Sequence, residues 1–243
     1  MPAELLKRSR VLVERLKKAY PGATCALTHE NPLQLLVATI LSAQCTDARV
    51  NKVTPALFAR YSEAADFAAS DRAELEELVR TTGFFRNKAK SIHGATSKIT
   101  SDFAGEVPRT MEEILTLPGV ARKTGNVVLG TAFSIASGFV VDTHVFRLSH
   151  RMGLANAKNP VQVEKQLMTL IPEKDWIDFG HILIHHGRAV CAARTPRCEE
   201  CVVESHCPKI GVDAKPAKSA RPKPGKTLSE RIAAGKKKKT KAK

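Results

Sequence analysis

Apolar residues recur at three- and four-residue intervals through most of the chain, the period of a helix with one buried face. The pattern predicts helices over ELLKRSRVLVERLKKAY, PLQLLVATILSAQ, RVNKVTPALFARY, RAELEELVRTTG, RNKAKSIHGATSKITSDF and TMEEILTL, over the segment around Lys123, and over PVQVEKQLMTLI and DWIDFGHILIHHGRAVC. Breaks fall where helix punctuation stands, at Pro21-Gly22, Asn31-Pro32, Gly83, Pro108, Pro118-Gly119, Asn159-Pro160 and Pro172. No stretch alternates convincingly as a half-buried strand does, so the fold class is all-α. The run IASGFVVDTHVF, rich in Val, Phe and Thr, reads as a buried connector entering a helix. Asp142, ahead of Thr143 and His144, suits the N-cap of that helix, where a carboxylate accepts orphan backbone N–H groups.

With 243 residues and 43% hydrophobic content, the chain is long enough to bury one or two cores. No apolar run reaches the roughly 18–20 residues of a membrane span, and MPAELLKRSR begins an amphipathic helix instead of a signal peptide. The expectation is a cytoplasmic, nucleoid-associated protein without membrane attachment. The net charge of +15 is unevenly placed: residues 211–243 hold 12 of the 39 bases and 2 of the 24 acids, which leaves the rest of the chain near +5. That Pro-, Ala- and Lys-rich tail, from 212 to the terminal KKKKTKAK, lacks apolar periodicity and is expected to be disordered. It reads as an arm for polyanions, adding salt-sensitive affinity by releasing counterions from phosphates, or as a plain solubilising extension.

Four of the six cysteines crowd into CAARTPRCEECVVESHC as Cys191, Cys198, Cys201 and Cys207, with spacing C-x6-C-x2-C-x5-C. Four thiolates in 17 residues, without a secretory signal, point to a metal or cluster site more than to disulfides. Tetrahedral zinc and an iron–sulfur cluster both satisfy the ligand count. The single C-x2-C knuckle with wider arms leans toward iron and sulfur. Cys25 and Cys45 lie far off and read as buried thiols.

In LPGVARKTG a Pro-Gly turn joins two helical patterns, so backbone N–H groups at the turn can cradle a phosphate, and Gly119, without a β-carbon, permits close approach. Lys123 falls in the first turn of the second helix, where the positive end of the helix dipole and neighbouring Arg122 favour a neutral amine. Such an amine can attack an electrophilic sugar carbon and form a Schiff base. A plain phosphate-contacting lysine fits the same residues.

Taken together, LSAQCTD (41–47), TGFFRNKA (82–89), LPGVARKTG, VDTHVFR (141–147) and the cysteine loop resemble the endonuclease III family of the helix-hairpin-helix DNA glycosylases, in its order and spacing from about Leu5 to Gly211. The resemblance implies a base-excision repair enzyme that removes oxidised or ring-damaged pyrimidines from double-stranded DNA and then nicks the abasic strand. On this resemblance Lys123 matches the nucleophile and Asp142 the family's aspartate. Gln44 and Phe84 match the residues inserted where the base has flipped out, with Phe85 as the other candidate ring. DNA contacts fall to Leu117, Gly119, Ala121, Arg122 and His144, and Cys191, Cys198, Cys201 and Cys207 would hold one 4Fe-4S cluster. That cluster loop would present Arg194, Arg197 and Lys209 to DNA, with His185, His186 and His206 as packing or phosphate-contact residues. Ala121 departs from the glycine often found there, and Gly125 from a common alanine, which is expected to loosen the helix slightly.

The architecture implied is two helical lobes flanking a DNA-binding cleft in a monomer. A six-helix bundle with the hairpin spans about 25–135, and residues 1–24 with 136–211 form the cluster lobe. Lys123 and Asp142 are then expected to face each other across the cleft. An adenine glycosylase would lack the lysine and carry a further domain. A noncatalytic DNA-binding protein would need neither Lys123 nor Asp142.

Overall fold

A computed structural model describes residues 3–212, which leaves the Lys-rich tail outside the described residues. The described residues are all-helical, without a strand, and none of their helices is long and apolar enough to cross a membrane. The helices are α1 (Ala3–Ala19), α2 (Pro32–Leu41), α3 (Asp47–Arg60), α4 (Ala64–Ala68), α5 (Arg72–Val79), α6 (Phe85–Asp102), α7 (Met111–Ile114), α8 (Arg122–Phe133), α9 (Thr143–Arg151), α10 (Pro160–Leu170) and α11 (Trp176–Ala189).

The Asn-Pro breaks are helix starts. Asn31 and Asn159 cap α2 and α10 by accepting the N–H of Gln34 and of Gln162, both at 2.9 Å, while Pro32 and Pro160 take first-turn positions whose N–H would have no helical partner. Two predicted helices are shorter than their patterns: α7 keeps only Met111–Ile114 of TMEEILTL, and after Val79 the chain tightens into a 3-10 turn, Arg80–Thr82. The five-residue α4 was not anticipated, because one turn is too short to show a period.

Packing divides the chain into two units. One is Thr24–Val140; the other joins the N-terminal residues through Ala23 to the chain from Val141 onward. In the first, α2 is buried from Leu35 to Leu41 and packs against α3, α6 and α8, as expected of a helix apolar on all sides. This unit runs from α2 to α8 and includes two helices of a single turn, α4 and α7, so it is a fuller bundle than six helices. Residues 136–140, assigned from the sequence to the cluster lobe, belong to this unit, where the Ser137 hydroxyl donates to Asn126 Oδ1 at 3.1 Å. Cys25 and Cys45 are half-buried against its core, not fully enclosed. In the other unit α9 packs on α10 and α11, and α1 lays Leu12, Val13 and Leu16 inward and meets α11.

Candidate active site and cysteine centre

The hairpin between α7 and α8 is built from its turn outward. Val120 N–H donates to the Leu117 carbonyl at 3.1 Å, closing a four-residue turn with Pro118 second and Gly119 third. Gly119 has φ +76°, the left-handed value that a turn of this kind places at its third residue. The site demands glycine for a second reason: a β-carbon there would lie 2.4 Å from Ser91 Cβ and Oγ on α6. Leu117 is 2% exposed, so its side chain anchors the turn in the core and only its backbone is near the surface. Gly125, one turn into α8, is also tightly packed. A β-carbon would stand 3.0 Å from Met111 Sδ and 3.1 Å from Ile114 Cγ2, so the glycine lets α7 sit close against α8 instead of merely loosening it.

At the start of α8, Ala121 occupies the cap position and supplies no side-chain acceptor, and the first turn has no acid. The N–H groups at this positive helix end sit beside Arg122 and Lys123, which suits them to an anion. Lys123, Ala121 and Gly119 are exposed, and Arg122 is half-buried. Lys123 lies in one unit and Asp142 in the other.

Asp142 caps α9, its Oδ1 accepting the N–H groups of both His144 and Val145 at 2.8 Å. One oxygen thus takes both capping bonds. His144 is half-buried on α11: a β-carbon on Gly187 would lie 2.8 Å from its Nδ1, and Arg147 donates to that nitrogen at 3.2 Å. Arg147 also donates to the carbonyls of Gly187 at 3.2 Å and Cys191 at 3.0 Å, so the Nδ1 side of His144 is tied to the start of the cysteine loop.

Gln44 and Phe84 share an unusual feature. Both are exposed, Phe84 at 64%, and both hold left-handed backbone, with φ +52° and +50°. Each such residue costs roughly 1–2 kcal/mol without glycine, and strain of this kind collects at working sites. Phe85, the alternative ring, is half-buried against the core, which leaves Phe84 as the projecting one.

Cys191, Cys198, Cys201 and Cys207 border one cavity, together with Arg151 and His186. Burial pushes the Cys201 thiol up to about 11, and raises Cys198 and Cys207 as well, so these sulfurs need a cation to stay ionised. Arg151 donates to Cys191 Sγ at 3.3 Å, and His186 Nε2 lies 3.4 Å from Cys201 Sγ. The other nitrogen of His186, Nδ1, is 2.8 Å from the Tyr20 hydroxyl, which fixes a fully packed ring. Among the described residues no three His, Cys, Asp or Glu side chains are grouped to hold a single metal ion. Arg197 is paired with Glu200 at 3.0 Å and Lys209 with Glu204 at 2.7 Å, so both serve the loop itself, while Arg194 is exposed.

Sequence reasoning passed over Arg147, Arg151, Tyr20 and Lys88. A signal existed for three of them. Arg147 and Arg151 stand four apart on α9 with Leu148 between, and Lys88 falls on the apolar stripe of α6 with Ile92 and Ile99.

Hairpin, capped aspartate and four-cysteine loop define a class, and comparison with known proteins agrees. Residues 37–173 match the family described as HhH-GPD superfamily base excision DNA repair protein. The chain is 61% identical over 202 residues to endonuclease III of Synechocystis sp., spanning 83% of this chain and 92% of that one, and 45% identical over 203 residues to endonuclease III of Bacillus subtilis, with the same coverage. A solved structure titled as a trapped endonuclease III–DNA covalent intermediate superimposes with a TM-score of 0.81 at 41% identity, covering 86% of this chain and 97% of that one. The chain belongs to the endonuclease III family, and is a base-excision repair DNA glycosylase with abasic-site lyase activity.

Proposed function

We propose that Lys123 is the nucleophile, and Asp142 its carboxylate, in removing oxidised pyrimidines from duplex DNA and cutting the strand 3′ to the lesion. The amine forms a bond to C1′ of the flipped nucleotide as the bond from C1′ to the base breaks, and the base leaves with the electron pair and is protonated. Opening of the sugar ring at C1′–O4′ and loss of a proton from nitrogen leave an imine. Removal of a C2′ proton then expels the 3′ phosphate oxygen. Asp142 takes the proton from the Lys123 ammonium and stabilises positive charge developing on the sugar.

The observation that carries this reading is the exposed Lys123 amine in the first turn of α8, four residues beyond the exposed Gly119 turn. One rigid element can thus bind backbone phosphate and deliver the amine. Gln44 and Phe84 fill the space that the flipped base leaves, offsetting unstacking of about a few kcal/mol. The enzyme acts as a monomer. The test is borohydride added during reaction with a thymine glycol duplex: a covalent protein–DNA adduct is expected, and Lys123→Gln abolishes it. Tight DNA binding without an adduct would leave a monofunctional glycosylase or a passive DNA binder.

The four cysteines, by the same reading, hold one 4Fe-4S cluster. Support comes from four sulfurs around one cavity, and from the Arg151 guanidinium and the His186 ring that stand against two of them. When bound, the cluster supplies covalent crosslinks that brace the loop. Arg151 and His186 then stabilise anionic sulfur, as outer donors do around metal centres.

A further inference from the structure

We propose that Lys88 is a positioning residue for the duplex-invading Phe84, its buried ammonium holding the turn that leads into that side chain against the helix that follows Gln44. The inference rests on the reading of Gln44 and Phe84 given above.

Lys88 interrupts the apolar face of α6. It is 5% exposed, on the same side as Ile92 and Ile99, both fully buried. A lysine gains nothing there by burial alone, since burying a charge is costly unless it is bonded. Its Nζ donates to the Thr82 carbonyl at 2.8 Å. Thr82 immediately precedes Gly83 and Phe84, whose φ values of +73° and +50° make the reversal that lifts the Phe84 ring into solvent. Thr82 is itself 2% exposed, and its hydroxyl donates to the Val79 carbonyl at 2.7 Å, so the anchoring point is firm.

The same turn reaches the helix that follows Gln44. The 3-10 turn Arg80–Thr82 packs on α3, which begins directly after the segment of Gln44 and Cys45. Burial opposes protonation of the Lys88 ammonium. One buried cation thus anchors the turn that leads into Phe84, and that turn packs on the helix that follows Gln44. Strained backbone persists only where its surroundings over-determine it, and a charge-assisted bond to Thr82, two residues before Phe84, does this for an otherwise uncapped helix start.

The test compares two substrates across wild type, Lys88→Met and Lys88→Gln. The first is a duplex with paired thymine glycol, where base release needs flipping; the second is a single-stranded abasic oligonucleotide, which needs no invasion. The expected result is that Lys88→Met slows base release from the duplex by about tenfold or more, while strand cut at the single-stranded site stays within about twofold. The fluorescence rise of 2-aminopurine placed opposite the lesion falls with the first rate. Lys88→Gln, which keeps a donor, shows the same selective loss to a smaller degree and carries the comparison if Lys88→Met does not fold. Equal loss on both substrates, or none on either, overturns the inference. Failure of the wild type to trap with borohydride would instead overturn the underlying reading.

Discussion

Replacing Gly119 by alanine adds one carbon at the tightest point of the hairpin turn, and two separate penalties follow. The first is backbone strain: at φ +76° an alanine costs about 1–2 kcal/mol. The second is overlap with Ser91, whose Cβ and Oγ would lie 2.4 Å from the new carbon; relieving overpacking of that kind typically costs about 1–3 kcal/mol. The expected loss is therefore about 2–5 kcal/mol, a large share of a stability of about 5–15 kcal/mol. Urea unfolding, with free energies from linear extrapolation, measures it. The two parts separate in a cycle with Ser91→Gly, which removes both clashing atoms but leaves φ unchanged. In that background Gly119→Ala should cost only the backbone part, a coupling of about 1–3 kcal/mol. Equal cost in both backgrounds, or a loss under about 0.5 kcal/mol in the parent, would refute the account of the turn.

Other residues give sharper separations of folding from chemistry. Asp142→Asn keeps a capping oxygen for His144 and Val145 and should leave the melting temperature nearly unchanged while abolishing most base release; Asp142→Ala should also cost α9 about 1 kcal/mol, read by the same unfolding assay. Phe84→Ala, at an exposed side chain, should change stability by less than about 0.5 kcal/mol yet lower duplex base release, measured by gel with a thymine glycol duplex. Cys207→Ser should reduce iron and acid-labile sulfide per chain, and finding one zinc per wild-type chain would contradict the cluster assignment. Burial holds the Lys88 ammonium below the ordinary lysine range, so the unfolded chain binds its proton more tightly. Its contribution to stability therefore increases as pH rises from that lowered value toward about 10.4, and the wild-type minus Lys88→Met difference should show this slope.

Much of this was legible because periodicity and punctuation are local. Asn31-Pro32 and Asn159-Pro160 mark helix starts whatever surrounds them, and Asp142 caps α9 with both bonds its position promised. What escaped depends on contacts distant in sequence. Leu117 entered only as a DNA contact implied by the resemblance, and that its side chain is buried in the core depends on partners elsewhere in the chain. That Gly187, far along the chain, makes room for the ring of His144 could not be read from either segment alone. Gly125 read as a weak point from helix propensity alone, though Met111 and Ile114 need the space. Arg197 and Lys209 are basic in the sequence but already paired in the fold.

On the proposed mechanism one amine, on the helix that follows the Gly119 turn, does the chemistry. The most direct test is to trap the wild-type enzyme on a thymine glycol duplex with borohydride, digest the complex with nuclease and protease, and locate the reduced sugar by mass spectrometry. The account predicts the modification on Lys123 alone. Modification on another lysine, or on the chain's terminal amine, would contradict it.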